Sequence, residues 1–109
     1  MDYRLKKEKD FQAVFSKGKR IYSGSLTLVY LKSDEMKVGF AVGKKHGGSV
    51  IRNRVKRLLR ESFRSFTPYL RQNFFFVFIP KIRDDYSLEV FVKDMEYVLK
   101  KGNFLEKDA

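Results

Sequence analysis

The 109-residue chain contains no cysteine, no tryptophan and a single histidine, His46. The absence of thiols excludes a disulfide scaffold, a thiolate zinc site and a cysteine nucleophile. One histidine without a second histidine or a cysteine does not complete a metal site. We therefore interpret His46 as a loop residue or a phosphate contact rather than a metal ligand or a general base.

Long apolar runs and dense acidic clusters are also scarce. No run of about 18 apolar residues occurs, and residues 1–9 are charged rather than signal-like, so we expect a soluble, cytoplasmic protein. The only dense acids are Asp84, Asp85 and Glu89, which we interpret as a turn and the acidic first turn of a helix. Without a carboxylate or His–Lys cluster, the chain is expected to bind without catalytic residues or a bound metal of its own.

Positive charge dominates what is present. Lys and Arg number 24 against 13 Asp and Glu, which gives a net charge of +11. Residues 44–64 contain eight basic side chains and one acid, whereas residues 84–109 contain four basic and seven acidic side chains. This imbalance favours a polyanionic partner, above all nucleic acid, with an anionic membrane surface as the competitor. The partner's footprint is predicted to lie in the first two thirds of the chain.

Apolar spacing predicts a single domain over residues 1–109, built from three helices and three strands. Helices are expected over about 7–17, 50–66 and 88–101, and strands over about 25–31, 37–42 and 73–79. The first two strands are predicted to form an antiparallel hairpin, and the continuous apolar third strand to be central. The order αββαβα indicates an α+β two-layer sandwich. If its strands are parallel, the strand–helix–strand crossover is right-handed by default.

The long helix is predicted to have two distinct faces on a wheel of about 100° per residue. The apolar arc comprises Ile51, Val55, Leu58, Leu59, Ser62, Phe63 and Phe66. The polar arc comprises Asn53, Lys56, Arg57, Arg60 and Arg64. Arginine binds phosphate oxygens in a bidentate manner, whereas a merely solvated face mixes bases with acids, and only Glu61 supplies an acid here. The polar arc therefore predicts contact with a nucleic-acid backbone.

The loop over residues 43–49 precedes this helix and contains glycines, Lys44 and Lys45. Such a loop can bring backbone N–H groups to an anion near a helix N-terminus, with Ser49 as the candidate cap. It is not a nucleotide P-loop, because no Ser or Thr follows Lys44.

Phe11 and Phe15 lie one helical turn apart in the first predicted helix. Their spacing by itself favours core residues. If they line a cleft rimmed by Lys and Arg, they form a stacking platform for unpaired bases. The spacing leaves both interpretations open.

Two stretches of the sequence resemble the signature of the bacterial ribonuclease P protein. They are residues 38–45 (VGFAVGKK) and residues 50–61 (VIRNRVKRLLRE), and the Arg52-Asn53-Arg54 triplet within the second is the specific part. The opening segment around Phe11, Phe15 and Gly18 is similar to the family's first helix. The resemblance extends over nearly the whole chain.

The resemblance implies an accessory subunit of an endoribonuclease that removes the 5′ leader from precursor tRNA and leaves a 5′-phosphate. It implies that catalysis and Mg²⁺ belong mainly to an RNA subunit. The partners are then ribonuclease P RNA and the precursor tRNA leader, with no membrane and no obligate protein partner. It also implies a left-handed crossover before the last strand, contrary to the default handedness.

The resemblance also assigns residues to the two partners. RNA-subunit contacts are expected at Lys44, Lys45, Arg52, Asn53, Arg54, Lys56, Arg57, Arg60 and Arg64. Leader contacts are expected at Phe11, Phe15, Lys7 and Tyr30. The alternatives are a ribosomal or general RNA-binding protein, which has no reason to carry this basic triplet, and a membrane-surface protein, whose helix would need its apolar arc outside the core.

Overall fold

The computed structural model describes residues 3–70 and 73–106, in which three α-helices surround a four-stranded sheet. The helices are α1 (Glu8–Lys17), α2 (Ser49–Arg64) and α3 (Leu88–Lys101). The strands are β1 (Lys19–Tyr22), β2 (Leu26–Lys32), β3 (Lys37–Phe40) and β4 (Phe74–Pro80). Short 3-10 turns occur at Lys44–His46 and Thr67–Tyr69. The α+β class is confirmed, and no helix in these ranges has the length and apolarity to cross a bilayer.

The sheet order is β1-β2-β4-β3, so β4 is central as predicted. β2 pairs with β4 in antiparallel orientation, and β3 pairs with β4 in parallel. The predicted hairpin between β2 and β3 is therefore wrong. The apolar strand β4 inserts between them because it can bury both of its faces while pairing along both edges. The β3–α2–β4 unit is a parallel crossover whose left-handedness stays a prediction.

β1 is an element that the apolar pattern did not predict, and it changes the order to αβββαβα. It pairs with β2 in antiparallel register from Lys19 opposite Tyr30 to Tyr22 opposite Thr27. Ile21 is its only buried residue. A four-residue edge strand with one buried side chain is too short to give a clear alternation of apolar and polar residues.

Helices cover both faces of the sheet because successive strand residues point to opposite sides. Phe76 and Phe78 of β4 belong to the main core with α2 and α3. Val77 packs with Val14 of α1 and Val29 of β2 in a second, smaller cluster. The predicted two-layer sandwich describes the α2–α3 side, and α1 adds a partial third layer on the other side.

The helix ends follow local backbone chemistry. α1 ends as predicted at Gly18, whose N–H donates to the Val14 carbonyl oxygen at 2.8 Å. The residue that precedes α2 is Gly48 rather than Ser49, and it provides no side-chain cap. α3, by contrast, is capped by Ser87, whose hydroxyl accepts the Val90 N–H at 3.2 Å.

Candidate nucleic-acid interface

The buried side of α2 agrees with the predicted apolar arc except at its first turn. Val55, Leu59, Ser62 and Phe63 are buried against the sheet and α3. Ile51 is 47% exposed, so its predicted place in the core is wrong. It lies at the N-terminal end of α2 and packs over Gly47, where an added Cβ would approach its side chain to 3.1 Å.

The opposite side of α2 carries a set of side chains that we call the basic ridge. The ridge consists of Asn53, Lys56, Arg57, Arg60 and Arg64. Lys56 is half-buried and the other four are exposed. Within residues 3–70 and 73–106, the cations of the ridge form no salt bridge, because the ion pairs found there join Lys37 to Glu35 and Lys100 to Glu96. The ridge is therefore a band of positive charge that no ion pair among the described residues neutralises.

The Arg52-Asn53-Arg54 triplet does not present a single surface. At about 100° per residue, Arg52 and Arg54 lie on opposite sides of Asn53. Arg52 is half-buried, whereas the Arg54 guanidinium donates a long hydrogen bond of 3.4 Å to the Tyr86 carbonyl. Only Asn53 of the triplet belongs to the basic ridge, and Arg54 borders the start of α3.

The loop before α2 holds Lys44 and Lys45 exposed, as a phosphate-binding role requires. His46 is instead buried, which corrects its interpretation as a phosphate contact. Its Nδ1 accepts the Gly43 N–H at 3.1 Å, which leaves Nε2–H to donate to the Pro80 carbonyl at 2.7 Å. His46 thus fixes the loop to the end of β4, a role that the sequence could not show because Pro80 is 34 residues away.

Phe11 and Phe15 form an aromatic pair on one flank of α1, with ring centroids 6.3 Å apart. Phe11 is half-buried and lies on Gly39 of β3, where an added Cβ would come within 2.5 Å of its ring. A glycine at this position is what allows the ring to approach the sheet. Phe15 is 38% exposed, and Lys7 is exposed just before the first residue of the helix. The pair therefore joins one ring that packs on the sheet to one that solvent reaches.

Tyr30, the fourth predicted leader contact, lies on the other face of the sheet. Its ring centroid is 4.8 Å from that of Phe104 and 6.2 Å from that of Phe74, in the main core. The residue of β2 that packs with α1 is its neighbour Val29. The structure thus separates Tyr30 from Phe11 by the thickness of the sheet, since a shift of one residue changes the face.

The α1 side of the sheet also carries residues that the sequence pattern missed. Tyr22 is opposite Thr27, which in turn is opposite Ile79, so the three share one row on one face. Arg20 occupies the next row beside Val29. Tyr22 is 63% exposed. These residues were not predicted because β1 itself was not, although Ile21-Tyr22 between Gly18 and Gly24 is a weak strand signal.

The cations of the ridge are not metal ligands. In the described part of the chain, no three His, Asp or Glu side chains come together in a way that could hold a metal ion. The ridge offers Lys and Arg, which are cationic donors, whereas Mg²⁺ needs oxygen ligands such as carboxylates. The cations of the ridge therefore supply no ligand for Mg²⁺.

Fold and site together define a small basic α+β protein with an arginine-rich helix surface on one side of its sheet and an aromatic helix on the other. The model of the ribonuclease P family matches residues 1–103 of the chain. The chain therefore belongs to the ribonuclease P protein family, whose members are the protein component of a tRNA-processing endoribonuclease.

Individual members of the family are similar to this chain over at least 90% of its length. The chain is 35% identical over 109 residues to the ribonuclease P protein component of Bacillus velezensis, covering 97% of this chain and 94% of the relative. It is 36% identical over 107 residues to that of Streptococcus pyogenes serotype M5, covering 96% and 90%. The solved RNase P protein of Staphylococcus aureus matches with a TM-score of 0.84 at 26% identity, covering 97% of this chain and 100% of that one. The Thermotoga maritima protein matches with a TM-score of 0.80 at 25% identity, covering 90% and 96%.

Proposed function

We propose that this chain docks on ribonuclease P RNA through the basic ridge and the loop over residues 43–48, and holds the 5′ leader of precursor tRNA on the α1 side of its sheet. The observation that carries the proposal is the basic ridge. Its cations are aligned on one helix and have no ion pair within the described residues. Like charges at this spacing destabilise a helix, so an external polyanion is their natural counterpart.

The geometry of α2 and its loop supports the proposed docking on RNA. Arg57, Arg60 and Arg64 follow one another at intervals of three and four residues, so their guanidinium groups lie along the same flank. Each can hold a phosphate through two hydrogen bonds. Lys44 and Lys45 are exposed close to the N-terminus of α2, which lacks a side-chain cap and so leaves its first N–H groups to an anion.

The position of the α1 aromatics supports the proposed leader binding. Asp10 faces a shallow pocket with Lys37 and Phe75 on one flank of α1. Lys7 lines this pocket as well, whereas Phe11 and Phe15 lie about 100° and 140° further round the helix from Asp10, and Phe11 packs on Gly39. Exposed rings can stack on unpaired bases while nearby cations, such as Arg20 on the same face of the sheet, follow the phosphates. Tyr30 is not part of this surface.

We assign the hydrolysis step to the RNA subunit and the binding of the leader to the protein. Hydrolysis of the phosphodiester releases the leader and leaves a 5′-phosphate on the tRNA. Mg²⁺ supplies charge neutralisation and an activated water when held by the RNA. The protein contributes binding and orientation of the leader, which places the scissile phosphate at the RNA's active site in the cytoplasm.

Reconstitution tests whether the RNA subunit, rather than the protein, performs the cleavage. The purified protein should leave precursor tRNA intact, whereas the protein together with ribonuclease P RNA and Mg²⁺ should cleave it at the 5′ end of the mature tRNA. The products are resolved on a sequencing gel and checked for the 5′-phosphate. Cleavage by RNA-free protein that disappears in Asp84→Asn or Asp85→Asn would assign the chemistry to the protein and overturn the proposal.

Leader binding is tested with Phe15→Ala in the assembled enzyme. Stacking contributes about 1–3 kcal/mol per base, so affinity for precursor tRNA should fall by about 5- to 150-fold while affinity for mature tRNA is retained. Tyr97→Ala, a change of an exposed aromatic residue on α3, serves as the matched control. A sharp fall in melting temperature, with the preference for precursor intact in the folded fraction, would make Phe15 a core residue instead.

A further inference from the structure

A groove of about 250 Å³ lies between β3, the second half of α2 and the residues just before α1. Its outer wall is held in place by strand-like pairing along the free edge of β3. The Val38 N–H donates to the Tyr3 carbonyl at 2.7 Å, and the Leu5 N–H donates to the Val38 carbonyl at 2.8 Å. This pairing places Tyr3 beside the groove, where 39% of its surface is exposed.

The floor of the groove is aromatic and firmly packed. Phe63 of α2 is almost fully buried, and its ring meets that of Phe40 edge-on at 6.3 Å between centroids. Phe40 is half-buried and stacks on Phe78 of the core at 6.1 Å with 21° between the ring planes. The groove therefore offers flat apolar surface on a rigid base, next to the partly exposed ring of Tyr3.

The rim of the groove is cationic. Arg60 and Arg64 of the basic ridge both line it, and Arg4 borders it from the other side. None of the described residues that line the groove is acidic. Thr67 adds a hydroxyl that donates to the Arg64 carbonyl at 2.9 Å, which leaves the oxygen's lone pairs to accept a further hydrogen bond. An aromatic floor with a cationic rim suits a planar, apolar group that has an anion attached on either side.

We infer that the groove receives one unpaired nucleotide of the RNA that docks on the basic ridge. The base lies against Tyr3 and Phe40, and Arg60 and Arg64 hold the phosphates on either side. These two arginines are four residues apart on α2, about 6 Å along the helix axis, so both can reach the backbone of the same splayed-out nucleotide. The inference rests on the proposed docking of RNA on the ridge. It adds a base-stacking contact to a surface that would otherwise contact only phosphates.

The test compares Tyr3→Ala, Tyr3→Phe and Arg64→Ala for binding to ribonuclease P RNA over a range of salt concentrations. Tyr3→Ala should weaken binding by about 5- to 150-fold without changing the salt dependence, because it removes a stacking contact and no phosphate contact. Tyr3→Phe should bind within about twofold of the unaltered protein, because the ring is retained. Arg64→Ala should instead flatten the slope of log affinity against log salt by about 0.7 to 0.9. Tyr97→Ala on α3 is the matched aromatic control and should change neither quantity.

A photocrosslinking residue, benzoylphenylalanine, at position 3 identifies the occupant even if the alanine variant folds poorly. Crosslinks should map to one unpaired nucleotide of the RNA. If the unaltered protein binds RNA with steep salt dependence but Tyr3→Ala binds equally well, the groove inference fails and the docking proposal stands. Crosslinks to a second copy of the chain would likewise overturn it. Absence of salt-dependent RNA binding by the unaltered protein would instead overturn the docking proposal itself.

Discussion

α2 and α3 pack on the same face of the sheet, but their caps, their first turns and their exposed charges differ. α3 has a Ser87 cap, Glu89 in its first turn, basic residues in its last turn and an ion pair between Glu96 and Lys100 at 3.5 Å. α2 has no side-chain cap, no acid in its first turn and a ridge of cations without ion pairs in the described residues. Acidic residues in the first turn and basic residues in the last turn stabilise a helix through its dipole. Like charges one turn apart destabilise it.

The exposed residues of α2 and α3 therefore make different contributions to the stability of two helices of similar length. The exposed side of α3 contains the features that stabilise a helix in isolation, whereas α2 depends on its buried side to stay helical. The cations of α2 are therefore not explained by stability. The proposed docking on RNA accounts for them, because a bound polyanion would neutralise them.

The largest effect is expected where the two helices are alike, in the core. Leu59 of α2 and Met95 of α3 are both fully buried in the main cluster. Leu59→Ala and Met95→Ala should each lower the free energy of unfolding by about 2–5 kcal/mol, measured by urea denaturation. A loss below about 1 kcal/mol for Leu59→Ala alone would mean that α2 is not anchored through its buried side.

The second largest effect is expected on RNA binding, which should depend on the cations of α2 and not on those of α3. The double change Arg57→Ala with Arg60→Ala should flatten the slope of log affinity for ribonuclease P RNA against log salt by about 1.4 to 1.8, because two phosphate contacts are lost. The control, Lys93→Ala with Lys100→Ala, removes the same charge from α3 and breaks only an exposed ion pair of small energy. Equal effects of the two double variants would show that net charge, rather than the basic ridge, governs binding.

The smallest effect concerns the helix caps. Ser87→Ala should destabilise the protein by about 1 kcal/mol, because the Val90 N–H loses its acceptor. Gly48→Ser should stabilise it by a few tenths of a kcal/mol, roughly the difference between serine and glycine at this position, since no atom lies within 4 Å of the added Cβ. Thermal unfolding of both variants checks this, and a destabilised Gly48→Ser would mean that the start of α2 does not accept a side-chain cap.

Much of the local structure was predictable because it depends on neighbouring residues. The apolar spacing that predicts a helix over about 88–101 agrees with α3, and the glycine after Lys17 ends α1 as expected. The exposed side of α2 agrees with its predicted polar arc for the same reason. Ile51 is the exception, because it lies in the first turn of α2, where the partner surface no longer covers the arc.

The pairing of strands was not predictable from adjacent residues. β2 and β3 are neighbours in sequence but are separated by β4, which reaches them after α2. A short polar turn is compatible both with a hairpin and with a step across a third strand. The apolar character of both faces of β4 favours the second arrangement, and its effect is felt only when the sheet is assembled.

The sequence by itself determined the composition, the helices, the arginine-rich polar arc and, through two short stretches, the family. The tertiary structure decided the strand order, the face on which Tyr30 lies, the internal hydrogen bonds of His46 and the groove beside Tyr3. The physical reason is the range of the interactions. Helix patterns arise from residues three and four positions apart, whereas strand register and the packing of loops are fixed by contacts between distant segments, and one residue of register moves a side chain across the sheet.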